Sequence, residues 1–144
     1  MRPWTTGVGN RKAIRISPRI NDTGDRRTGG LVFLLIAYFA VDPDAAEQVL
    51  TDSAEPVRLL AGQPDTNWLR WGRSTEDAGR LVLVAEFDTA AAYRRAQSPY
   101  EVRKELIPWL SKAEIATSGA FEVLAAADGA QLWEPDVIVP DPGR

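Results

Sequence analysis

Within residues 65–74 the chain concentrates one amide (Asn67), two indoles (Trp68 and Trp71) and two guanidinium groups (Arg70 and Arg73). These groups donate hydrogen bonds or carry positive charge. An amide N–H aimed at a developing oxyanion stabilises it in a water-poor cavity. An indole packs against a flat ring and donates from its nitrogen, and a guanidinium adds charge for an anion. Read as a strand, the segment sends Asn67, Leu69, Trp71 and Arg73 to one face and Trp68 and Arg70 to the other. If the first face is enclosed it is a ligand pocket; if open, it is a wet sheet surface.

Two absences narrow the chemistry further. The chain has no cysteine, which removes disulfides, thiolate nucleophiles, iron–sulfur clusters and Cys-based zinc sites. It has no histidine, which removes Ser-His-Asp and Cys-His machinery, His-ligated metals and haem on a proximal histidine. Catalysis, if present, uses carboxylates, amides, hydroxyls, indoles, guanidinium or amine groups, or the substrate's own reactivity. Neither a metal nor a cofactor is expected.

The elements that must position these groups follow from composition and periodicity. The 144 residues are 44% hydrophobic with a net charge of -3, which suits one folded domain. The longest apolar run, Leu31 to Val41, is about half of the ~20 residues a membrane span needs. The first thirty residues hold no apolar signal region, so a cytoplasmic location is the default expectation. Residues 1–29 carry Arg2, Arg11, Lys12, Arg15, Arg19, Arg26 and Arg27 against Asp22 and Asp25. They read as a flexible basic arm. Without interleaved aromatics or helical periodicity, and in an acidic chain, the arm is not expected to make a nucleic-acid interface.

The folded body spans 30–127. Leu31 to Val41 is apolar on both alternating faces, interrupted by Tyr38, as in a strand covered on both sides. Asp42-Pro43 starts a helix, with Ala46, Val49, Leu50, Val57 and Leu60 at helical spacing. Pro56 is expected to kink or break it near Glu55, and Gly62 to end it. The segment from Asn67 to Ser74 and Leu81 to Phe87 form a hairpin across the 75–79 turn. Thr89 to Gln97 is a short helix, and Ser98-Pro99-Tyr100-Glu101 restarts another with Ser98 as cap. That helix presents Val102, Leu106, Trp109 and Leu110 inward and is expected to be distorted at Pro108. Ala120 to Ala126 is a last strand, and residues 128–144 read as an extended tail.

Strand, helix, strand, strand, two helices and strand make an α+β chain: a ferredoxin-like, four-stranded antiparallel sheet with helices on one face. Its other face is apolar too, and a homodimer with two sheets packed face to face buries it.

Several segments together resemble the antibiotic biosynthesis monooxygenase-like family of dimeric α/β-barrel proteins. They are the apolar first strand ending in Val41-Asp42-Pro43, Trp68 to Trp71, Leu81 to Asp88, Ala91 to Ala96, Ser98 to Val102, and Ala120 to Leu124. The resemblance implies dimerisation into an α/β-barrel. It also implies oxidation of polycyclic phenols to quinones by O2 with neither metal nor flavin. In those enzymes an asparagine and a tryptophan four residues apart on the second strand take part, and Asn67 and Trp71 match that spacing. A haem-degrading branch needs a histidine ligand, which this chain lacks.

The expected roles are Asn67 as donor to a phenolate, Trp71 as ring platform and donor, and Arg73 as charge stabiliser. Tyr38, Leu69, Glu86 and Tyr100 are candidate substrate-binding residues. Against each stands a structural alternative. Trp71 fills a core, Asn67 bonds backbone in a turn, Arg73 is a solvated surface residue, and Glu86 pairs with an arginine. Tyr100 packs under its helix start, and Trp109 is core. The leading expectation is a cofactor-independent monooxygenase acting on an aromatic, phenolic or polyketide-like small molecule. The alternatives are a small-molecule binder without catalysis and a dimerisation module with a filled core.

Overall fold

The computed structural model describes residues 32–137, so the basic arm and the end of the tail lie outside the described residues. The order is β1 (Phe33–Ala40), α1 (Pro43–Asp52), α2 (Ala54–Ala61), β2 (Thr66–Arg73), β3 (Arg80–Phe87), α3 (Ala90–Gln97), α4 (Tyr100–Leu110), β4 (Gly119–Glu122), β5 (Ala126–Asp128) and β6 (Gln131–Trp133). Four strands form one antiparallel sheet in the order β2-β3-β1-β4. This is the ferredoxin-like arrangement that the alternation of periods predicts.

The core lies between one sheet face and the helices. Leu35, Ala37 and Phe39 of β1 and Leu81, Leu83, Ala85 and Phe87 of β3 are buried there. They meet Val49 of α1, Val57 and Leu60 of α2, Ala92 and Ala96 of α3, and Val102, Leu106 and Trp109 of α4. Period two in the strands and 3.6 in the helices aim these side chains at one another. Each fully buried Leu or Phe contributes about 1.5–3 kcal/mol. The opposite, outer face holds Leu34 and Ile36 of β1 and Val82 and Val84 of β3, all half-buried in the single chain. The expectation that β1 is covered on both sides is therefore met on the helix side alone.

Three helix ends differ from expectation. The break falls at Ser53, between α1 and α2, and Pro56 sits in the first turn of α2, where its missing N–H has no partner to lose. Helix α4 starts at Tyr100 with Pro99 as its cap residue and no side-chain cap, because Ser98 instead closes α3. Its hydroxyl donates to the Arg95 carbonyl at 2.9 Å. Pro108 lies inside α4, which runs on to Leu110. Thr89 does cap α3, accepting from the Ala92 N–H at 2.9 Å. The expected extended tail folds back instead: β5 and β6 pair across a turn where Gly129 takes a φ of 66°. No described helix is long and apolar enough to cross a membrane.

Candidate functional site

Strand β2 lies at the edge of the sheet, and its register with β3 decides which of its side chains meet. Thr66 lies opposite Phe87 and Trp68 opposite Glu86, with a bulge between them. A bulge sets two residues of one strand against one of its partner. Asn67 and Trp68 therefore both address Glu86. The Asn67 Nδ2 donates to Glu86 Oε1 at 2.9 Å and to Asp88 Oδ1 at 2.8 Å. The Trp68 Nε1 donates to Glu86 Oε2 at 2.8 Å. Both oxygens of the Glu86 carboxylate are thus held, and both hydrogens of the Asn67 amide are spent on carboxylates. The Arg70 guanidinium lies over the Trp68 ring, 5.4 Å from its centroid.

The expectation that Asn67 and Trp71 line one face is corrected here. Beyond the bulge, Leu69 lies opposite Ala85 and Trp71 opposite Leu83, both core residues. Asn67 instead joins Glu86, which shares the outer face with Leu34 and Trp68. Strict alternation places Asn67 with Trp71 only if no residue is inserted, and the bulge inserts one. Nor does Glu86 pair with an arginine among these contacts; it takes an amide and an indole.

Trp71 meets two rings on the helix side. Phe39 is 5.5 Å away at 80°, and Trp109 is 5.1 Å away at 74°, both edge-on. Phe39 and Trp109 are themselves 4.8 Å apart. Edge-to-face contact sets the positive rim of one ring against the negative face of another. The indole N–H groups of Trp71 and Trp109 are buried with no hydrogen-bond partner among the described residues. Leu69 packs against the same core.

The remaining candidates are dispersed. Arg73 Nη1 reaches Glu47 Oε1 of α1 at 3.3 Å, an exposed pair at the far end of β2. Tyr38 lies on the outer face, 44% exposed, on the other side of the sheet from Trp71. Its backbone is tied to the loop before β4, the N–H donating to Ser118 Oγ at 2.9 Å and the carbonyl accepting from the Glu114 N–H at 2.6 Å. Tyr100 is 67% exposed at the start of α4 instead of packing beneath it. The sheet therefore divides the candidates into an outer polar cluster (Asn67, Trp68, Glu86, Asp88) and an inner aromatic cluster (Phe39, Trp71, Trp109).

The model of the family described as antibiotic biosynthesis monooxygenase matches residues 32–104, just over half of the chain. The chain belongs to the antibiotic biosynthesis monooxygenase family. Solved structures agree in fold. One described as an antibiotic biosynthesis monooxygenase is 19% identical, with a TM-score of 0.53 over 66% of this chain and 99% of its own. A Mycobacterium tuberculosis protein is 16% identical, with a TM-score of 0.53 over 69% and 99%. A conserved protein from Methanosarcina mazei Go1 is 13% identical, with a TM-score of 0.52 over 64% and 90%. No curated protein matches the chain in sequence.

Family membership does not by itself locate a site, and two members of these clusters escape sequence reasoning. Alternation sends Trp68 to the face opposite Asn67, and only the bulge turns Asn67 towards the same carboxylate. Trp109 reads correctly as inward-facing from its spacing with Val102 and Leu106. That its ring meets Trp71 depends on how α4 lies on the sheet, for which the sequence holds no local signal.

Proposed function

We propose that this family member oxidises an aromatic, phenolic small molecule with O2, without a cofactor, in the cytoplasm. The observation that carries this reading is Trp71. It is a half-buried indole on the edge strand, against an aromatic wall, with its N–H unspent among the described residues. A flat ring would lie against this wall, and the N–H would donate to its oxygen as negative charge builds there. In the net reaction one atom of O2 enters the ring as a carbonyl oxygen and the other leaves as water. The substrate's electron-rich ring supplies the electrons. Arg73 adds positive charge at the end of the strand. Asn67, with both N–H groups committed, acts by holding Glu86 together with Trp68.

A second reading, binding without turnover, is favoured by that same commitment, since it leaves no free amide donor for a phenolate. Both readings place a second copy of the chain against the outer face, where Leu34, Ile36, Val82 and Val84 are half-buried and Tyr38 and Phe121 exposed. Oxygen uptake with an anthrone-type phenol separates the two. Turnover is expected to consume one O2 per quinone formed. Trp71→Phe, with its circular dichroism unchanged, is expected to lower the rate by about 100-fold, the usual cost of one oxyanion donor. Saturable binding of the phenol without any O2 uptake, across a panel of phenols, would leave binding alone.

A further inference from the structure

Trp109 lies beyond the residues that match the family model, so family membership assigns it no role. It is 3% exposed, on the inner face of α4, yet its indole N–H has no partner among the described residues. A buried donor gives up its hydrogen bonds to water, and folded proteins leave few such donors without compensation. Here the adjoining ring carries a second, because the Trp71 ring centroid is 5.1 Å away and its N–H is equally unpartnered. Packing on Phe39, edge-on for Trp71 and tilted at 36° for Trp109, accounts for where the rings sit, but it does nothing for the two nitrogen atoms. Trp109 belongs to the core cluster that includes Leu83 and Leu106, and Trp71 and Leu69 pack against it. The pair thus offers two donors with no acceptor in hydrogen-bonding reach among the described residues.

We propose that Trp109 is a ligand-orienting residue, donating together with Trp71 to the carbonyl oxygen of a flat, apolar ligand. A carbonyl oxygen has two lone pairs and can accept from both donors. A hydroxyl would bring a proton that two donors cannot accept, so a phenol is met here in its keto form, on which negative charge builds as it reacts. A carboxylate or phosphate would bring a full charge that two neutral donors do not neutralise. Trp71, half-exposed on the edge strand, is the outer donor, and Trp109 is the deeper one. This rests on the pocket reading above and adds which ligand atom is recognised, and from which helix.

The test is made on the unaltered protein by proton–nitrogen NMR of its five tryptophan indoles. Trp71→Phe and Trp109→Phe serve to assign two of the signals. The probes are 1,4-naphthoquinone and naphthalene, one bicyclic skeleton with and without carbonyl oxygens, and the chain has no cysteine for the quinone to modify. The quinone is expected to move both indole protons downfield, and naphthalene to leave that of Trp109 nearly in place. Trp109→Phe is expected to cost about tenfold in quinone affinity, the worth of one net hydrogen bond, and much less in naphthalene affinity. Equal shifts with both probes would overturn the donor role of Trp109 while leaving an apolar pocket standing. No shift with either probe, in protein that still consumes O2 with a phenol, overturns the inference and not the proposed function. No shift and no O2 uptake overturn both.

Discussion

Replacing Glu86 by glutamine tests the structure where it departs most from simple alternation. The carboxylate accepts from Asn67 at 2.9 Å and from Trp68 at 2.8 Å, one donor on each oxygen. Glutamine keeps the shape but substitutes an NH2 for one oxygen, so a donor must face a donor. One hydrogen bond to a charged acceptor is lost, worth about 1.5–3 kcal/mol, and the other becomes neutral. Because Glu86 is half-buried, solvent takes up part of this loss, and the expected destabilisation is about 2 kcal/mol. Trp68→Phe removes a single donor and keeps most of the ring packing, for about 1 kcal/mol. Urea unfolding of wild type, both single variants and the double variant closes a thermodynamic cycle. A coupling of about 1 kcal/mol between positions 68 and 86 is expected. If Glu86→Gln lies within about 0.5 kcal/mol of wild type, the range of an ordinary surface substitution, the clamp does not organise this end of the sheet. Strict additivity in the cycle would refute it equally.

Other consequences can be measured separately. A Cβ on Gly79 would lie 2.0 Å from the Val41 carbonyl oxygen, and Val41 N–H donates to the Gly79 carbonyl at 2.9 Å. Gly79→Ala is therefore expected to cost about 1–3 kcal/mol in urea unfolding, and a neutral result would mean the two segments separate easily. Hydrogen bonds from Arg58 hold the Glu55 carboxyl below its ordinary range. The contribution of this pair is thus present above the unfolded carboxyl's titration and lost as pH falls through the lower folded one. Carbon NMR of Glu55 should show that lowered midpoint, and Arg58→Gln should abolish the difference. Val84→Glu places a charge at the centre of the half-buried outer face, and light scattering is expected to show a wild-type dimer become monomeric. A wild-type monomer at micromolar concentration would refute that assembly.

The aromatic and polar clusters were legible in the sequence to different depths. Trp71 faces the core as alternation with Leu69 requires, and Trp109 faces inward as its spacing from Leu106 requires. Each is a local periodicity, carried by a few neighbouring residues. Alternation puts Asn67 on the wrong face because it assumes an unbroken ladder, whereas a bulge forms only when two strands pair. Tyr100 was expected under its helix, but α4 starts one residue later than the Ser98 signal implies, and its ring points to solvent.

Residue types and periods thus determined that segments 65–74 and 81–87 pair, that the helices cover one sheet face, and that the chain's chemical equipment lies around Asn67 to Arg73. The tertiary structure alone decided that this equipment is divided by the sheet. Asn67 and Trp68 hold Glu86 on one side, while on the other the Trp71 and Trp109 rings meet, each with its N–H unspent. The physical reason is range: periodicity is set by neighbours in sequence, whereas register, bulge and ring contact are set by groups that meet only when the chain has folded.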